Sequence, residues 1–158
     1  MINFDILVET DGWPDEVTLT RLVKNALVAV LAEVVMVLPD GAEAAFIFAD
    51  DDKLQQLNAQ WRDKDQPTNV LSFAANDGLP FAQWSPLLGD VIVARETLER
   101  EANEQGKDFH DHLIHMIVHG TLHLLGYDHI DEAEANIMEG LETKILVRLN
   151  IADPYASK

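Results

Sequence analysis

The sequence predicts one α+β domain spanning residues 1–158, with about four strands, helices packed on them, and a buried histidine-bearing helix at the centre. Three observations lead there. Short β-rich runs are interspersed with stretches of helical periodicity, which is the pattern of a sheet with helices laid on it. No internal repeat, low-complexity tract or linker divides the chain. One stretch, DHLIHMIVHGTLHLLGYDH (111–129), is apolar in almost every direction when wound at 100° per residue. A helix of that kind belongs inside its domain.

The elements follow in order. Ile2 to Val8 alternates around Phe4, Ile6 and Val8 and reads as a strand. Asp11-Gly12 with Pro14 makes a turn. From about Asp15 to Met36, Leu19, Leu22, Val23, Ala26, Leu27, Val30 and Leu31 keep a helical period, ending near Pro39-Asp40-Gly41. Ala44 to Ala49 is a second strand, and Asp50 or Asp51 caps the next helix, with Leu54 and Leu57 inward and Trp61 near its end. Pro67 is expected to stop that helix. Val70 to Phe73 is a third strand, residues 76–88 a surface loop with two prolines and a glycine, and Gly89 to Ala94 a fourth strand. Arg95 to Gln105 is a polar helix ending at Gly106. Asp108 or Asp111 starts the central helix and Gly126 stops it. Asp131 with Glu134 forms a capping box for a last helix over about 132–149, with Ile137, Leu141, Ile145 and Leu149 as its inner face.

Composition bounds the function. The chain has 158 residues and no cysteine, so disulfides and thiolate metal sites are excluded and a cytoplasmic location is expected. No run of roughly 18 apolar residues occurs, which excludes a membrane span of that kind. The N-terminal MINFDILVETDG lacks the basic start and apolar core of a secretory signal. With 28 acidic residues against 11 basic ones, net charge is -17, which argues against a general polyanion-binding surface. Nucleic acid as a substrate would need a local basic patch or a metal.

The histidines carry the chemistry. His119 and His123 are four apart and share a helix face, and His115 and His112 lie on the same stripe. Two imidazoles one turn apart reach one ion. A third must come from another direction, so the helix has to end before His129, and Gly126 ends it, because glycine takes the left-handed conformation at little cost. His119, His123 and His129 are therefore the expected ligands of one Zn2+ ion, with a coordination position left open for water; three imidazoles also suit nickel or copper. His112 and His115 are expected as packing residues or partners behind the ligands. Asp128 either orients a histidine or caps the turn. The spacing HGTLHLLGYDH matches that of the metzincin proteases except at Gly120, where those enzymes carry their general-base glutamate. Peptide hydrolysis by that route is not expected.

HGTLHLLGYDH resembles the signature of the YbeY family of bacterial endoribonucleases. WRDKDQPTNVLSF (61–73) and LLGDVIV (87–93) are similar to two further blocks of that family, in the same order, and the closing helix and DPY (153–155) also fit. The resemblance covers most of the chain from Asn58 onward; the first 40 residues share only the general layout. It implies a zinc-dependent, single-strand-specific endoribonuclease acting in ribosomal RNA maturation and ribosome quality control, with His119, His123 and His129 on the zinc and Arg62 as the functional arginine of the cleft. It also implies RNA, the ribosomal subunit or ribosomal proteins as partners. Asn69 departs from the aspartate of many members, which puts a carboxylate role there in doubt. From the residues alone, Arg62 and Lys64 are two of few cations, on the loop leading into the third strand; a guanidinium suits a phosphodiester, but an exposed arginine paired with one of the many carboxylates is the reading the residues favour without the resemblance. Thr68, Asn69 and Ser72 either line the cleft or serve as turn and edge residues. The general base stays open among Asp128, Asp90 and a neighbouring histidine. Two other readings are a metal-dependent hydrolase of another substrate class, and a ribosome-assembly factor whose zinc is structural and holds a fourth side chain such as His115 or Asp128.

Overall fold

The computed structural model describes residues 1–155. Four strands form one mixed sheet: β1 (Asn3–Val8), β2 (Glu43–Ala49), β3 (Val70–Ala74) and β4 (Leu87–Ala94), in the order β1-β2-β4-β3. β1, β2 and β4 run parallel, and β3 pairs antiparallel with β4 at one edge. Five helices surround it: α1 (Glu16–Glu33), α2 (Asp51–Arg62), α3 (Arg95–Gln105), α4 (Phe109–Leu124) and α5 (Glu132–Arg148). The α+β class and the four strands are as the sequence reading expects.

Alternation along the strands makes two cores. Phe46, Phe48, Val91 and Val93 point to the face covered by α1, α4 and α5, where Leu19, Val23, Leu113, Ile117, Leu122 and Ile145 are buried with them. Ile92 and Leu71 point the other way, onto Leu54 and Leu57 of α2. Such two-sided burial is what parallel strands require. Aspartates set the helix starts. Asp15, Asp50, Asp108 and Asp131 each accept a backbone N–H from the first turn that follows, so Asp50 and Asp108 are the caps among the alternatives the sequence left open. Asp51 works elsewhere: its carboxylate accepts from the Thr97 backbone N–H and hydroxyl at 3.1 and 2.6 Å, tying α2 to α3.

Four boundaries or faces differ from expectation. α1 stops at Glu33, three residues before Met36, because Val34 adopts an extended backbone (φ -89°, ψ 125°) that its β-branched side chain favours. α2 is ended by Asp63, in the left-handed region at φ 56°, well before Pro67. β4 begins at Leu87 and runs through Gly89, where a Cβ would lie 2.0 Å from the Phe73 carbonyl oxygen, so only glycine allows β3 so close. The inner face of α5 is offset from the one predicted: Ile137 is 60 % exposed, Leu141 and Leu149 are half-buried, and Met138, Glu142, Ile145 and Leu146 are buried. That rotation carries a glutamate into the core, against α4.

Candidate metal centre and its groove

α4 is positioned by what it lacks. A Cβ at Gly120 would lie 2.6 Å from Val91 Cγ1 and 3.0 Å from Ser72 Oγ, so the glycine lets the helix settle directly onto the sheet. Ser72 Oγ donates to the Gly120 carbonyl at 3.3 Å. With Gly120 against the sheet, His119 and His123 stand to one side of it, about 100° and 60° around the helix. The position that holds a glutamate base in metzincins therefore faces β4, and the protease reading fails on space as well as on residue type.

The helix end has the expected form. Gly126 adopts φ 96°, the Tyr127 N–H donates to the Leu122 carbonyl at 3.0 Å, and the Gly126 N–H donates to the His123 carbonyl at 3.0 Å. This pair of bonds is a Schellman turn. It reverses the chain so that His129 returns beside the helix. Asp128 accepts from the His129 backbone N–H at 2.8 Å, so it caps the turn.

The three imidazoles converge. One nitrogen from each of His119, His123 and His129 lies within 4.8 Å of the others. His119 Nε2 and His123 Nε2 are 3.2 Å apart. Two nitrogens about 2.0 to 2.1 Å from a tetrahedral ion would be separated by roughly 3.3 Å. The donor set and its spacing fit a first-row divalent ion such as zinc. Among the described residues no fourth side chain joins the cluster.

Behind the ligands lies Glu142, only 1 % exposed, a residue the sequence reading did not single out. His119 Nδ1–H donates to its Oε1 at 2.5 Å, and His115 Nε2–H donates to its Oε2 at 2.9 Å. The Tyr155 hydroxyl also donates to Oε2. With Nδ1 carrying the proton, the His119 Nε2 lone pair faces the cluster, the usual function of a carboxylate behind a metal-binding histidine. Burial alone would raise the Glu142 carboxyl; the hydrogen bonds from His115 and His119 outweigh it and hold it below the ordinary carboxylate range. Burial and the Glu142 carboxylate push the Tyr155 hydroxyl the other way, well above its usual value. His123 is lowered to about 4, first by burial and then by the neighbouring His119 and His129. It is thus neutral and ready to donate a lone pair at neutral pH. His112 pairs instead with Glu101 at 2.9 Å, and Asn69 donates to the same carboxylate at 3.0 Å. An amide serves at position 69 where a carboxylate would face Glu101.

One groove of about 800 Å3 joins these parts. Arg62, Thr68, Asn69, Ser72, Asp128 and the three clustered histidines all line it. Arg62 is the last residue of α2, not a loop residue as expected, and it is exposed. Among the described residues it makes no ion pair, so its guanidinium is available to a ligand in the groove. Asp90 is not among the lining residues, which leaves Asp128 as the groove carboxylate of the two considered as a base.

Comparison with known proteins identifies the family. The family model for Endoribonuclease YbeY matches residues 8–150. The chain belongs to the YbeY family. The match reaches well into the N-terminal part, where the motifs showed only a general layout. Endoribonuclease YbeY of Rhizobium johnstonii is 51 % identical over 159 residues, covering 98 % of this chain and 93 % of that one. Endoribonuclease YbeY of Allorhizobium ampelinum is 47 % identical over 161 residues, covering 99 % and 96 %. The solution structure of TM1509 from Thermotoga maritima shares the fold, with a TM-score of 0.57 at 24 % identity over 98 % of this chain and 99 % of that one. As a YbeY endoribonuclease the protein is a hydrolase that acts on RNA. Among the described residues no helix is long and apolar enough to cross a membrane.

Proposed function

We propose that residues 1–158 form a single zinc-dependent endoribonuclease domain that cleaves single-stranded regions of ribosomal RNA precursors in the cytoplasm, in maturation and quality control of the ribosome. The observation that carries this reading is the convergence of His119, His123 and His129 in the groove that Arg62 also lines. His119, His123 and His129 would hold the ion. Zinc bound there would supply Lewis acidity, polarising the phosphate and lowering the pKa of water towards about 7. Glu142 fixes the His119 tautomer, and burial keeps His123 unprotonated, so both imidazoles offer lone pairs. Arg62 binds the scissile phosphate and offsets the negative charge that grows as the nucleophile adds. Asp128, which lines the same groove, would take the proton released by the attacking water. With net charge -17, the chain meets its RNA through this restricted groove and with ribosomal partners, not through a general basic surface.

Three histidines with no fourth side chain among the described residues favour catalysis over a structural zinc, because structural sites are closed by four protein ligands. His115, the alternative fourth ligand, is committed to Glu142. Arg62→Ala is the discriminating variant. Zinc should remain at one per chain while cleavage of ribosomal RNA precursor falls by about 10^2 to 10^3-fold. Zinc loss in that variant, or undiminished cleavage, would remove Arg62 from the site.

A further inference from the structure

The groove holds a feature that metal and arginine leave unused. The segment 75–86 between β3 and β4 runs along it and brings two aromatic rings, Phe81 and Trp84, to its wall. A single 3-10 turn at Phe81–Gln83 separates them by three residues, the spacing that eclipses side chains in that helix type. Their centroids are 5.0 Å apart and their planes tilted by 54°. Phe81 is 44 % exposed.

The loop is held in place. Buried Asn76 donates to the carbonyls of Ser85 and Leu87 at 3.2 and 3.1 Å and accepts from the Ser85 N–H at 3.0 Å. Trp84 Nε1–H donates to the Leu79 carbonyl at 3.2 Å. The Trp84 ring lies so close to Gly126 that a Cβ there would be 3.6 Å from it. Gly126 is the turn between His123 and His129, so Trp84 packs against the turn that carries the third histidine, and Phe81 stands beside Trp84 on the same groove wall.

Charge says what this wall can bind. Among the described residues Arg62 is the one lysine or arginine lining the groove, and Asp77 and Asp128 line it too. Beyond the phosphate at the metal site, attraction to the RNA backbone is therefore weak, and the flanking strand needs another source of affinity. An exposed, fixed aromatic ring offers base stacking, which tolerates any sequence and requires an unpaired base. We propose that Phe81, supported by Trp84, is a stacking subsite for one unpaired nucleobase of the RNA substrate next to the cleavage position. The subsite rests on the site assignment given under Proposed function. It gives the enzyme its preference for single strands, since a base inside a duplex has no free face to offer.

The test uses zinc-loaded full-length protein, a single-stranded oligoribonucleotide and a duplex of the same sequence. Phe81→Ala should raise KM for the single strand about tenfold with kcat within about twofold, and Phe81→Tyr should restore it. Binding of the single strand should show a log–log salt slope near that of one phosphate contact, about 0.7. An abasic nucleotide scanned along the strand should, at one position, weaken the wild type as much as Phe81→Ala does and leave that variant unaffected. Cleavage by the wild type with KM unchanged in Phe81→Ala would overturn the stacking subsite alone. So would equal losses on single strand and duplex. Failure of the zinc-loaded wild type to cleave the single strand would overturn the site assignment and the subsite together.

Discussion

Replacing His119 by alanine should empty the metal centre and abolish RNA cleavage while the fold survives. His119 is one of the three proposed ligands, and its Nε2 sits 3.2 Å from that of His123. Two remaining imidazoles form a much weaker site. Loss of the metal removes several kcal/mol of stabilisation from the reaction, on the order of 10^3-fold in rate. The fold is spared because Glu142 keeps His115 and Tyr155 as donors, and His119 itself is only half-buried. Metal analysis of the purified variant should find far less than one zinc per chain, with a melting curve close to that of the wild type. One zinc per chain in His119→Ala would exclude the proposed ligand set.

Glu142→Ala should be the most damaging single change to stability. It removes the buried carboxylate to which buried His115 and half-buried His119 and Tyr155 donate. Breaking a buried charged network from one side costs about 3 to 5 kcal/mol, which in a domain of this size lowers Tm by on the order of 10 °C. Glu142→Gln keeps the shape and one acceptor, so it should fold better and isolate the metal effect. With the His119 tautomer no longer fixed, zinc affinity should fall about 10- to 100-fold. The acid limb of stability should change as well. The folded carboxyl sits below its ordinary value of 4.5, so its contribution is complete above that value and is lost as pH falls towards the folded one. Glu142→Gln should lack that loss. Unchanged zinc affinity and Tm in both variants would reduce Glu142 to a bystander.

The histidine cluster was legible because its three members are close in sequence. The i, i+4 pair and a helix-stopping glycine place His119, His123 and His129 together through local geometry alone. Arg62 was legible through its motif, since one arginine among 28 acidic residues carries no spacing signal of its own. Glu142 was not legible. It lies 23 residues from His119 and 27 from His115, on a helix whose apolar pattern suggested a face through Ile137. Only packing of α5 on α4 turns it inward. The aromatic wall was hidden for a similar reason: residues 76–88 read as a surface loop, and nothing local says that Trp84 rests on Gly126. The strands and helix starts came through because alternation and aspartate caps are local, whereas helix ends shifted where Val34 and Asp63 chose other backbone regions.

The central claim is that a metal held by these three histidines drives RNA cleavage. Its most direct measurement is a titration of zinc into chelator-stripped wild-type protein, reading cleavage of a ribosomal RNA precursor at each addition. Cleavage should be absent without metal, rise with added zinc and level off at one equivalent per chain. Full cleavage by the stripped protein, or a plateau that zinc does not move, would contradict it.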